Sequence, residues 1–237
     1  MTARSLTALV LALAPLTVAV AAPPSPVETL TDASTVLDEL AAIPLKGIPP
    51  ALLKDAHGVA IIPRVIKAGF VVAGRGGHGV VLTKDDAGVW GEPTFVNFGG
   101  GSVGFQVGVS ATDVVLVFRE RKSLDRLLEG KAKFKLGGDA AVAAGPVGRT
   151  LEGATDGKLQ AEIVSYSRSK GLFAGVSVEG AVLNTDKGDT ERVRTRPTAE
   201  ETRRLDALRL RLTEMSSDAP VKVVPPASVP ADPVRKP

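Results

Sequence analysis

Three short segments carry residue types that could do chemistry. Gly74-Arg75-Gly76-Gly77-His78-Gly79 matches G-x-G-x-x-G. In dinucleotide sites those glycines let the backbone approach a pyrophosphate held at a helix N-terminus. Here Val80-Val81-Leu82-Thr83 follows, a β-like run, so no helix start is at hand and a glycine-permitted tight hairpin is expected. Gly100-Gly101-Ser102-Val103-Gly104 matches G-x-S-x-G, the nucleophile elbow, which needs a strand, a sharp turn and then a helix. Phe105 to Val109 alternates like another strand, and both histidines, His57 and His78, precede Ser102, against the order Ser, Asp, His of that fold. A His78, Asp86, Ser102 order is formally possible, but His78 and Asp86 flank one expected strand. A Gly-rich turn around Ser102 is the structural expectation. Ser167-Arg168-Ser169-Lys170 matches S-x-x-K but lacks the Ser-Asp-Asn and Lys-Thr-Gly partners of penicillin-recognising enzymes, and its surroundings read as a strand pair.

Metal chemistry has no better footing. Two histidines without paired spacing make no zinc site. Asp186, Asp189 and Glu191 lack the calcium-loop pattern and read as a solvated hairpin tip. His57, beside Gly58, reads as a structural histidine. No catalytic residue, metal or cofactor is implied. A different pattern points to anions. In Gly130-Lys131-Ala132-Lys133-Phe134-Lys135-Leu136, an extended chain would place Lys131, Lys133 and Lys135 on one face and Ala132, Phe134 and Leu136 on the other. Such a stripe suits anionic headgroups, at about 1 kcal/mol per lysine near a charged surface. Arg64, Lys67 and Arg75 would add to it if folding brings them close. An ordinary strand with a solvated charged face is the plainer alternative.

The elements that must position these residues are helical at both ends and β between. Thr29 to Ala42 repeats apolar residues at helical spacing, with Asp32, Asp38 and Glu39 on its polar face. Ile48 to Ala56 reads as a turn into a second short helix. From Gly58 short runs rich in Val, Ile and Phe follow: Val59–Ile62, Gly69–Ala73, Val80–Thr83, Thr94–Phe98, Val103–Val109 and Val114–Phe118. Ser123 to Leu128 reads as a helix with Ser123 as N-cap and Gly130 past its end. The Gly-Ala-rich stretch 137–148 is expected to pack its backbone closely. Strands resume at Ala161–Ser167 and Gly171–Leu183. Thr198-Ala199-Glu200-Glu201 is a capping box opening a helix whose Leu205, Leu208, Leu212 and Met215 stripe should dock on its own sheet. Phe70, Phe95, Phe98, Phe105 and Phe173 are expected in the core. The fold class is α+β: a mostly antiparallel, Gly-rich sheet, barrel- or sandwich-like, with short N-terminal helices and one C-terminal helix.

Met1 to Ala22 has a charged start, an apolar run of roughly 15 residues and a small-residue exit, below the ~20 a spanning helix needs. It reads as a secretory signal peptide cleaved near Ala21 or Ala22, which makes the protein exported, periplasmic or secreted. The expected organisation is 1–22 signal peptide, 23–195 α+β domain, 196–215 helix and 216–237 Pro-rich disordered tail. Lys and Arg number 29 against 26 acids. Without Arg4 the balance is about +2, too even for a dedicated nucleic-acid binder. The chain has no cysteine, so its stability rests on a packed core without disulfides.

Taken in order, several segments resemble the SYLF domain family over roughly residues 45–185. They are Ile48-Pro49-Pro50-Ala51-Leu52-Leu53, Gly58-Val59-Ala60-Ile61-Ile62-Pro63, Ala68 to Gly77, Trp90 with Pro93, Gly99 to Gln106 and Asp113 to Val117. Lys135 to Ala140, Ala144 to Gly148 and Ser165 to Ser177 complete the series. The resemblance implies a small α+β domain that binds lipid, in eukaryotic members often phosphoinositides, sometimes with actin-related partners. There the lipid contact is associated with an amphipathic N-terminal helix, whereas the helix here is acidic on its polar face, which an anionic surface would repel. The family's aromatic-Gly close is replaced by Gly188-Asp189-Thr190-Glu191-Arg192-Val193-Arg194. The function expected is a non-enzymatic module for an anionic phospholipid or membrane surface. The alternative is a structural protein of the cell envelope that binds a protein partner.

Overall fold

The computed structural model describes residues 23–42, 47–69, 72–103, 108–145, 161–169, 172–175 and 178–217. The expected signal peptide, the tail from 218 onward, Phe70 and Phe105 lie outside the described residues. Among the described residues nine strands form one sheet: β1 (Gly58–Gly69), β2 (Val72–Lys84), β3 (Trp90–Val103), β4 (Gly108–Phe118), β5 (Phe134–Lys135), β6 (Val142–Ala144), β7 (Ile163–Ser169), β8 (Leu172–Gly175) and β9 (Val182–Thr185). The order is β5-β9-β3-β2-β1-β4-β7-β6, with β8 on β7. Pairing is antiparallel except between β6 and β7. Among the described residues the outermost strands, β5 and β6, do not pair with each other. The fold is α+β as expected, its mostly antiparallel sheet curled into an open half-barrel.

Several short runs expected as separate strands are joined in four long ones. The Gly-rich segments 74–79 and 99–103, expected as turns, are extended backbone inside β2 and β3. Glycine weakens a strand but does not end it when both neighbours supply ladder hydrogen bonds.

Alternation gives the central strands two buried faces. On one, Val59, Ile61, Val80, Leu82, Phe95, Val115, Val117 and Tyr166 meet α1 (Pro26–Ala41), α2 (Pro50–Lys54) and α5 (Ala199–Ser216). On the other, Ala60, Ile62, Val81, Val96, Phe98, Leu116 and Phe118 meet α3 (Arg121–Glu129), Phe134 and Leu183. The Leu205, Leu208, Leu212 and Met215 stripe of α5 joins the first core and packs against α1 as well as the sheet. Both capping boxes close: Ser25 with Glu28 opens α1, and Thr198 with Glu201 opens α5.

Three helix expectations need correction. The N-cap of α3 is Glu120, while Ser123 lies inside the helix and donates to the Glu162 carboxylate. Gly130 does end α3, at φ 57°, where glycine is unstrained. Asp186 is not a hairpin tip: its carboxylate accepts from Asp189 N–H at 3.1 Å and caps α4 (Lys187–Thr195), so two helices end the domain rather than one.

Candidate functional site

The far halves of β1 to β4 leave the helices behind. A bulge makes the change. Pro63 has no N–H for the ladder, and Arg64 takes φ 48°, with its own N–H held by Asp113 Oδ1 at 2.9 Å. One extra residue enters β1 there: Ile61 faces Val80, yet Ile66 faces Gly76. The alternation therefore slips, and even-numbered residues of β1 now point to the helix-bearing side of the sheet.

Beyond the helices, most of the described residues that the register places on that side are glycine or alanine. The register aligns Lys135, Val182, Gly99, Gly76, Ile66 and Ala111 in one row, and Gly101, Gly74 and Ala68 in the next. The first row crosses six strands, about 24 Å at the usual inter-strand spacing. Ile66 is 44% exposed, among the most exposed large apolar residues described, and Ala68, Gly74, Gly76, Gly101 and Ala111 are exposed too. The result is an apolar, glycine-rich platform on the curled sheet with Lys135 at its β5 edge.

The other side of the same strands is basic. Lys67 and Arg75 are direct cross-strand partners. Like charges placed opposite each other cost stability. Arg75 lies across Gly100, whose missing Cβ leaves it room, with its guanidinium 5.8 Å from the Phe98 ring centroid. One of its terminal nitrogens donates to Glu179 O at 3.1 Å, while Nε is buried without a partner among the described residues. Burial pulls its pKa below the ordinary arginine value.

Folding thus collects part of the expected basic set. Lys67 and Arg75 meet, and Lys135 borders the platform. Lys131 and Lys133 are exposed just before β5, but only Phe134–Lys135 is strand, so the three lysines do not form a regular stripe. Lys131 stands 3.5 Å from Glu129, both well exposed. Arg64 leaves the set: its guanidinium pairs with Asp32 of α1.

That pairing is one of three that neutralise the acidic face of α1. Asp32 is held by Arg64, Glu39 by Arg168 and Asp38 by Arg211 at 2.5 Å. Arg168 also bonds Asp113 at 3.0 Å. The helix docks through these ions and its buried Leu30, Ala33, Leu37 and Leu40, so its acids are not a free repulsive face.

The chemical motifs keep their strand context. His78 pairs in register with Asn97, and Ser102 with Ala73, all on extended backbone. Arg168 of the S-x-x-K match sits on the β7–β8 hairpin. Among the described residues no group of three His, Cys, Asp or Glu could hold a metal, and no helix is long and apolar enough to cross a membrane.

A family model described as "Ysc84: Las17-binding protein actin regulator" matches residues 99–202. The "SH3 domain-containing YSC84-like protein 1" of Xenopus laevis is 38% identical over 156 residues, 64% of this chain and 46% of that protein. Its Homo sapiens counterpart is 39% identical over 140 residues, 59% and 40% of the two chains. "Protein YSC84" of Saccharomyces cerevisiae is 41% identical over 138 residues, 57% and 29%. The chain is homologous to these Ysc84/SYLF proteins at about 40% identity over about 60% of its length. It spans less than half the length of these relatives. The Ysc84 match starts at Gly99, on the platform, and runs through α4 into α5, past the segment where the expected aromatic-Gly close is missing.

Two features of this domain escaped the sequence. The platform did, because its glycines read as turn signals. So did α4, whose Lys187-Gly188-Asp189 start reads as a turn. The signal was present: Asp186 precedes the helix by one residue, and Thr190 and Val193 follow at helical spacing.

Proposed function

We propose that this domain binds a lipid or membrane surface through the glycine-rich end of its sheet and has no catalytic role. The supporting observation is the exposed platform around Ile66, which nothing among the described residues covers, with Lys135 on its rim and Lys67 and Arg75 on its reverse. A glycine-rich surface lets backbone approach an apolar boundary closely. Burying Ile66 there would contribute about 1.5–3 kcal/mol. Each cation near anionic headgroups would add about 1 kcal/mol. Lys131 and Lys133 lie close enough in sequence to Lys135 to share in this.

The test is flotation of residues 23–237 with neutral and anionic liposomes at low and moderate salt. Salt-sensitive binding to anionic vesicles, reduced in a Lys131/Lys133/Lys135→Ala variant, is expected. No binding to any vesicle would overturn the reading.

A second reading is a protein partner. The matching family is described as a Las17-binding actin regulator, and for an exported chain the partner would belong to the envelope. Deleting residues 196–237 separates the two: loss of a partner with vesicle binding retained favours it. Export itself is part of the proposal, carried by the sequence of residues 1–22. Sequencing the N-terminus of the protein recovered outside the cytoplasm should give a start near Ala22 or Pro23, and an intact Met1 start would overturn it.

A further inference from the structure

At the opposite end of the sheet from the platform, a cavity of about 640 Å³ opens between α3, α4 and strands β2, β3 and β9. Thr83 on its wall is nine residues along β2 from Gly74, about 30 Å away. Thr185, also on its wall, is only three residues along β9 from Val182, about 10 Å, but bonds Leu127 O of α3, so the cavity lies on the other face of the sheet and is a separate site.

Its walls are built for a small hydroxylated anion. Hydroxyls line it, and their bonding leaves donors over. Thr94 Oγ1 accepts from the Arg194 guanidinium at 2.6 Å, and Thr190 Oγ1 accepts from Phe95 N–H at 2.9 Å. Among the described residues neither O–H donates to another group, nor does that of Thr83, and Thr94 and Thr190 are buried at 2% and 7% exposure. Both are held in fixed geometry by the bonds they accept.

The charges point the same way. Glu92 and Arg121 on the wall are spoken for, by Arg209 at 2.9 Å and Asp125 at 3.1 Å. Among the described residues Arg194 is held by oxygen atoms of Pro93 and Thr94 and makes no ion pair. Lys187 and Glu191 make no ion pair among the described residues. Two cations against one acid leave a net positive cavity. Lys187, whose Cε lies beside Gly130, and Arg194, held at Pro93 and Thr94, both offer donors to an anion, and Glu191 accepts only hydrogen bonds, as a ligand's hydroxyls would offer.

We infer that this cavity binds a small anionic polyol, a sugar phosphate or sugar acid. Lys187 and Arg194 supply donors to its anionic group, and its hydroxyls bond Thr83, Thr94, Thr190 and Glu191. Affinity in the range of about 0.1–1 mM is expected for so open a site.

Titration calorimetry of the full chain tests it, with glucose 6-phosphate, gluconate, glucose and inorganic phosphate as probes. Saturable binding of either anionic sugar, at least about tenfold tighter than of glucose or phosphate, supports the site. The preferred anion tells phosphate from carboxylate. Lys187→Ala and Thr83→Val should each weaken that binding about five- to tenfold with an unchanged thermal midpoint. Lys187 is exposed and Thr83 part-exposed, so both variants should fold. No saturation with either anionic sugar, binding of phosphate alone at equal strength, or full affinity in both variants would overturn it.

Discussion

The two halves of strands β1 to β4 share one ladder but live in different surroundings. In the first half, Val59, Ala60, Ile61 and Ile62 are all fully buried, because helices cover one face and α3 with β5 and β9 the other. In the second half, Ile66 is 44% exposed and its neighbours are glycine and alanine. Strand pairing resumes beyond the bulge in β1 and runs unbroken between β2 and β3, whereas packing does not carry across. The comparison shows that here sheet extent is set by pairing, while stability is set by what covers the faces. The uncovered half is left available for contact.

The largest effect should come from giving glycines a methyl group in each half. At Gly79 a Cβ would sit 2.4 Å from Ile61 O and 2.9 Å from Ile62 Cα, both backbone. Gly79→Ala should cost about 3 kcal/mol or more. At Gly74, in the same strand, a Cβ meets nothing within 4 Å, and Gly74→Ala should change stability by less than about 0.5 kcal/mol. Urea unfolding of the two variants checks this. Equal losses would erase the distinction between the halves.

Acid should probe the covered half next. Glu201 is nearly buried at the start of α5, 2.5 Å from the Arg192 guanidinium of α4. Hydrogen bonding to Arg192 first, against an opposing burial effect, holds its carboxyl below the ordinary range. A depressed folded-state pKa stabilises above the unfolded value and ceases to as pH falls. Glu201→Gln should therefore cost about 1–2 kcal/mol at neutral pH, and the gap to the parent should close from about pH 5 downward. Thermal melts across that range would show it. A gap that persists at pH 3 would mean the cost is packing rather than charge.

In the uncovered half, Lys67→Ala should leave stability within about 0.5 kcal/mol, and relief of the Lys67–Arg75 opposition offsets part of any loss. Its binding to anionic vesicles should fall less than that of Lys135→Ala, because Lys67 lies on the reverse of the platform. A stability loss as large as that of Gly79→Ala would place Lys67 in the structural half.

The covered half was the more legible in sequence. Val-Ile runs, Gly130 after α3 and the Thr198–Glu201 box each carry a local signal that the fold obeys. The uncovered half was not, because glycine's signal is ambiguous. Gly74 to Gly79 and Gly99 to Gly101 look like punctuation until neighbouring strands are known to continue on both sides. The Pro63–Arg64 bulge decides which face Ile66 and Lys67 take, and it depends on Asp113, 49 residues away. The pairing of Lys67 with Arg75 and the loss of Arg64 to Asp32 likewise rest on register and helix docking. Sequence spacing encodes neither.

Flotation of residues 23–237, as the parent and as an Ile66→Asp variant, with anionic vesicles tests the central claim most directly. Ile66 is exposed and beside Gly76, so the variant should fold with an unchanged thermal midpoint. Parent protein that floats while Ile66→Asp stays in the bottom fraction is the predicted result. A parent that does not float, or a variant that floats equally well, would contradict the platform as the lipid-facing surface.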